Sequence, residues 1–136
     1  MTLELDSFEK AVASLAEALK AHGEQPTNNL IRDACIQRFE YTYELSHKML
    51  KRYLEMTEAS RETIDEMTFP TLIRTGHEKG LLLSSWDVWK DYREKRGATS
   101  HSYNEAKAKE VFESVPRFLD EARYLLKELQ GRSQQT

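Results

Sequence analysis

At 136 residues, with 39% hydrophobic and 10% aromatic, the chain can bury one core without disulfides or metals and is too apolar for disorder. Its formal charge of -3 excludes a basic protein that coats nucleic acid, but not a small local phosphate site. Cys35 is the only cysteine, the start "MTLELDSFEK" has no basic-then-apolar signal, and no apolar run reaches the ~18 residues of a membrane span. We therefore expect one domain, residues 1–136, in a reducing, cytoplasmic compartment.

Few glycines and prolines suit long helices. The first predicted helix covers 7–21, with Asp6 and Ser7 as N-cap types and Phe8, Val12, Leu15 and Leu19 on one face. The breaker "HGEQPTNN" follows. A long helix is predicted over 29–57, capped by Asn28 or Asn29 and about 40 Å long. Ile31, Cys35, Phe39, Leu45, Met49 and Tyr53 form its buried stripe. Tyr41, Tyr43, Leu50 and Leu54 widen it toward a second buried face, within the bundle or against a partner.

"EMTEASRETIDEM" reads either as a short turn of helix or as a loose connection. Pro70, after Thr68 and Phe69, opens another helix, and Gly80 closes it as the C′ residue. A cap at Ser84 or Ser85 starts the helix of "WDVWKDYREKR", where Trp86 and Trp89 pack in the core, and Gly97 ends it. The last helix starts between Ser100 and Tyr103, with a Ser102–Glu105 capping box, and runs to about Gln130. Val111, Phe112, Val115, Phe118, Leu119, Leu125, Leu126 and Leu129 supply its core. Pro116 is expected to kink or split it, and 131–136 to fray. The predicted fold class is all-α, an antiparallel up-down bundle of four to five helices with a kinked last helix.

Chemistry concentrates in "REKRGATSHSYNEAK", residues 93–107. Arg96 falls at the end of one predicted helix, and His101 and Tyr103 flank the start of the next, where free backbone N–H groups and the helix dipole favour phosphate. Arg96 can fork onto two phosphate oxygens, and His101 can move a proton near neutral pH. A base beside a phosphate clamp is what RNA cleavage by its own 2′-hydroxyl needs, without a metal or other cofactor. Gly97, Thr99, Ser100 and Ser102 would shape the loop. An arginine paired with Glu94 or Glu105, and a histidine near a cap, would produce the same spacing. Glu40 and Glu44, one turn apart with Lys48 next, read as a solvated ion-paired face. No His, Cys or carboxylate set has metal-ligand spacing.

"IQRFEYTYELSHKMLKRYLE" (36–55) and "KGLLLSSWDVWKDYREKRGATSHSY" (79–103) together resemble the HEPN superfamily, in particular the nucleotidyltransferase substrate-binding proteins, or HepT-like toxins. The Arg-x4-His-x-Tyr pattern is carried by Arg96, His101 and Tyr103, and an FE-x-x-YE run by Phe39, Glu40, Tyr43 and Glu44. The resemblance implies a homodimer with two such motifs facing a shared cleft. It also implies a metal-independent endoribonuclease toxin acting on RNA, whose partner is a minimal nucleotidyltransferase antitoxin. By carry-over, Arg96 clamps phosphate, His101 is the acid/base group and Tyr103 accepts AMP from the partner, which blocks the site. Two positions depart from relatives. Gly97 stands where a polar Asn, Asp or His often follows the arginine, and His47, expected to be a partly buried surface histidine, stands where tryptophan is common. Two alternatives remain: a non-catalytic substrate-binding subunit of the transferase, and a purely structural helical dimerisation protein.

Overall fold

The computed structural model describes residues 3–133, all of whose regular structure is helical. Helix α1 spans Asp6–Glu24, α2 Asn29–Thr57, α3 Arg61–Asp65, α4 Phe69–Glu78, α5 Trp86–Ala98 and α6 Glu105–Ser133, with a 3₁₀ turn at Thr99–His101 between the last two. None of these helices is long and apolar enough to cross a membrane.

The chain direction follows from paired contacts. Arg38 donates to the Ser14 carbonyl and Thr42 to that of Ala11, so α1 and α2 run antiparallel across their short link. Arg32 meets Glu105 and Phe39 meets Phe118, so α2 and α6 are parallel. Asp91 meets Ser114 and Lys95 meets Glu110, so α5 runs against α6. The result is the expected up-down bundle, with α1 and α5 flanking the central α2–α6 pair. Phe118 is its aromatic hub, with ring centroids 5.1 Å from both Phe39 and Tyr92 and 5.9 Å from Trp89. Edge-to-face packing of these rings adds to the area they bury.

The second apolar face expected on α2 is consumed inside the chain: Tyr43, Leu50 and Leu54 are buried in the core, and only Tyr41 of that set stays exposed. Gly76 on α4 permits this packing. A Cβ there would lie 3.0 Å from both terminal methyls of Leu50, so the leucine would have to shift by a few tenths of an ångström. Gly80 adopts φ 76°, the left-handed conformation a helix C′ residue needs.

Several boundaries differ from expectation. Leu5, not Asp6 or Ser7, is the N-cap of α1, and Asp6 enters the first turn, where its charge complements the dipole. The helix runs on through Gly23, and the break falls at Gln25. Asn28 caps α2, accepting from the amides of Leu30 and Ile31. The ambiguous 55–67 stretch holds α3, capped by Ser60. Gly97 does not end α5. It lies within the helix, whose last residue is Ala98. The Ser102–Glu105 capping box does not form. Asn104 accepts from the Lys107 amide instead, and Glu105 is drawn away to Arg32 at 2.6 Å. Pro116 does not split α6, and residues 131 to 133 of the expected frayed tail remain helical; 134–136 lie outside the described residues.

Candidate functional site

Arg96 sits in the last turn of α5 and reaches across to α2. Its Nε donates to Glu44 at 2.9 Å and one terminal nitrogen lies 3.7 Å from Glu40. Glu40 and Glu44 face the same way because they are one helical turn apart. The other terminal nitrogen points at the Thr99 hydroxyl, 3.5 Å away. Two carboxylates thus hold one edge of the guanidinium. The solvated face expected for Glu40, Glu44 and Lys48 is instead an inter-helix clamp on Arg96, in which Lys48 takes no part. Neither Glu94 nor Glu105 pairs with Arg96 in the structure.

The turn after α5 is held by its own hydroxyls. Thr99 Oγ1 donates to the Arg96 carbonyl at 2.7 Å, and Ser100 Oγ to that of Gly97 at 3.2 Å, satisfying acceptors that a helix end leaves open. The Ser102 amide closes the 3₁₀ turn on Thr99, and the His101 carbonyl accepts from Asn104. His101 and Tyr103 are both exposed, Tyr103 to 86%, with ring centroids 6.2 Å apart. Among the described residues no hydrogen bond joins Arg96 to either. The predicted residues therefore form two neighbouring groups: Arg96 with Thr99, turned toward α2, and His101 with Tyr103, turned to solvent.

The arrangement also brings in residues whose role the sequence left open. His47 Nε2 lies 3.4 Å from the second oxygen of Glu44, so one carboxylate spans Arg96 and His47. The His47 ring packs edge-on against Tyr43 and Phe69, both 5.3 Å away, and Arg93 lies 5.1 Å over Phe69. Burial holds the His47 imidazole below its ordinary range against the pull of Glu44, while the charges of Lys48 and Arg93 push the same way as burial. The expectation of a partly buried histidine is met, but on the flank of the Arg96 clamp. Tyr43 is buried, which pushes its phenol up to about 12. Of the tyrosines at this end, Tyr103 is the most exposed. The FE-x-x-YE run carried the signal for Glu40 and Glu44; nothing in the sequence joined them to Arg96.

A family model described as nucleotidyltransferase substrate binding protein like matches residues 3–131. A Haemophilus influenzae protein named probable ribonuclease HepT is 37% identical over 99 residues, covering 73% of this chain and 67% of that protein. A solved Haemophilus influenzae structure, described as revealing the fold of a substrate binding domain of a nucleotidyltransferase, superposes with TM-score 0.86 at 29% identity, covering 93% of this chain and 99% of that one. A solved Thermus thermophilus protein gives TM-score 0.69 at 34% identity, over 93% and 98% of the two chains.

Proposed function

The chain belongs to the nucleotidyltransferase substrate binding protein like family, and on that ground we propose that it is a HEPN-type endoribonuclease toxin controlled by a nucleotidyltransferase antitoxin. The observation that carries this reading is the junction of α5 and α6, where a clamped arginine, an exposed histidine and a tyrosine exposed to 86% lie within eight residues, 96–103. The relative named a probable ribonuclease supports it.

In this reading His101 takes the proton of a ribose 2′-hydroxyl. The freed oxygen attacks the adjacent phosphorus, the bond to the 5′ oxygen breaks, and that oxygen is protonated by water. Arg96 stabilises the charge on the non-bridging oxygens through its terminal nitrogens, of which the one beside Thr99 is clear of both carboxylates. No metal ion or other cofactor is invoked. Two copies bring their junctions to a shared cleft. The partner transferase supplies AMP from ATP: the Tyr103 oxygen gives up its proton and attacks the α-phosphorus, the bond to the β-phosphate breaks and pyrophosphate leaves, and the added bulk and negative charge beside His101 close the site to RNA. Purified protein with Tyr103 unmodified should cut RNA in the presence of chelator, and His101→Ala should lower the rate by a hundredfold or more, in line with general-base loss of roughly 10²–10⁴. Intact RNA with both proteins would end the catalytic reading.

A second reading has an observation in its favour: Glu40 and Glu44 already occupy one edge of Arg96. The chain would then be a non-catalytic subunit that binds substrate for the transferase. Under it, Arg96→Ala alters transferase affinity or activity while RNA is never cleaved.

A further inference from the structure

Next to the Arg96 clamp, a cleft of about 400 Å³ runs along the outer face of α2, lined by Glu44, Leu45, His47, Lys48, Lys51, Arg52 and Glu55. Its charges are unevenly matched. Glu44 is engaged with Arg96 and His47, and Glu55 accepts from Arg61 at 3.3 Å. Lys51 has only a long contact to Asp65, 3.9 Å. Lys48 and Arg52 are exposed and, among the described residues, have no ion-pair partner; the same holds for Arg93, which lies over Phe69 beside His47. A chain with net charge -3 has carboxylates to spare, yet gathers unpaired cations here.

We propose that this cleft is a track for the backbone of single-stranded RNA, which passes from Arg96 along α2 over Lys48 and Arg52. The inference rests on the ribonuclease reading for its choice of ligand and extends it by assigning a substrate-binding surface outside the Arg96–His101–Tyr103 set. Unpaired cations crowded on one face repel each other, and a polyanion relieves that repulsion while releasing its own counterions. From residue 44 to 52 the helix rises about 12 Å, room for several phosphates at roughly 3.4 Å per stacked nucleotide. A basic groove with an aromatic ring in its lining, here His47, is the arrangement that takes single strands without reading sequence.

The test uses a short fluorescein-labelled 2′-O-methyl RNA, which lacks the attacking hydroxyl and cannot be cut. Its affinity is followed by anisotropy across a salt series, beside cleavage of unmodified RNA. Lys48→Glu with Arg52→Glu should weaken binding at least tenfold and reduce the salt slope by about two. Lys48→Gln with Arg52→Gln should give an intermediate loss, and circular dichroism checks that each variant is folded. Lys20→Glu with Lys127→Glu, the same charge change on α1 and α6, should bind like wild type. Equal loss in both charge-reversed proteins, no loss in either, or no binding by wild type at low salt overturns the track. So does unchanged oligonucleotide affinity with lost capture of the transferase, which would make the cleft a protein-docking surface. Wild type that binds through the cleft but never cuts RNA removes the catalytic reading and leaves the track. Wild type that cuts RNA, with KM unchanged in the Lys48/Arg52 variants, removes the track and leaves the catalysis.

Discussion

Arg96 carries the phosphate chemistry proposed for this molecule, and Glu44 decides where its guanidinium points. Glu44 is half exposed and its pair with Arg96 is screened by solvent, so its loss should change stability by only about 0–1 kcal/mol. Its loss should change function more. Glu44→Ala lets the arginine swing out of register, and cleavage should fall by about tenfold or more, because small displacements of a positioning group have large effects on rate. A thermal melt alongside the rate assay separates the two effects. Gly97 makes a second prediction. It sits in helical backbone with nothing within 4 Å of an added Cβ, so Gly97→Ala should raise stability by roughly 0.5–1 kcal/mol. Gly97→Asn places in the same open space the polar side chain that the family resemblance leads one to expect there. A higher cleavage rate in Gly97→Asn than in Gly97→Ala would show that this position supports catalysis through its side chain. The arginine, histidine and tyrosine were legible in the sequence as a spaced motif. The link of Glu44 and His47 to Arg96 was not, because it spans about fifty residues and depends on α2 and α5 lying side by side.

Among the elements, α5 and α6 set the geometry of the junction. The last turn of α5 passes into the 3₁₀ turn through the hydroxyls of Thr99 and Ser100, and α6 starts where Asn104 caps it and Arg32 takes Glu105. Arg32 is buried and holds both Glu105 and Asp33, so it fixes the start of α6 relative to α2. The other end of α5 is tied down by Glu121 of α6, which accepts from the Leu83 amide at 2.7 Å. Burial holds the Glu121 carboxyl above the ordinary carboxylate range despite that bond. The folded state therefore keeps this proton to higher pH than the unfolded chain does. The contribution of Glu121 to stability is full below the unfolded pKa of about 4.3 and declines as pH rises through the folded one. Glu121→Gln should flatten the fall in stability over that interval, as measured by urea melts at several pH values. A pH profile unchanged from wild type would show that the carboxyl ionises equally in both states.

For the molecule as a whole, stability rests on the ring cluster around Phe118. Phe118→Ala should cost roughly 3–5 kcal/mol and lower the denaturation midpoint accordingly, since Phe118 is fully buried among four rings from α2 and α5. The homodimer we propose no longer draws on the broad apolar face of α2, because that face is core. It rests on the family likeness and is checked by light scattering, where a mass near twice that of the chain is the expected result and a monomer at micromolar concentration would remove the shared cleft.

The helices themselves were legible because hydrophobic spacing and terminal residues are local signals: Phe8 to Leu15, the Asn28 cap and Gly80 each mark a helix through a few neighbours in the chain. Where helices begin and end was less so, since Gly97 and Ser102 could equally have been boundary residues and only the neighbouring turn decided. An all-α bundle and the family motif of Arg96, His101 and Tyr103 could be read from the order of residues without any coordinates. Packing was needed to learn that Glu40 and Glu44 belong to Arg96, that α2 hides its second apolar face, and that unpaired cations line the cleft beside the clamp. Charge pairs between distant helices have no spacing rule in the sequence: they form only after packing of the apolar faces has fixed which helices meet.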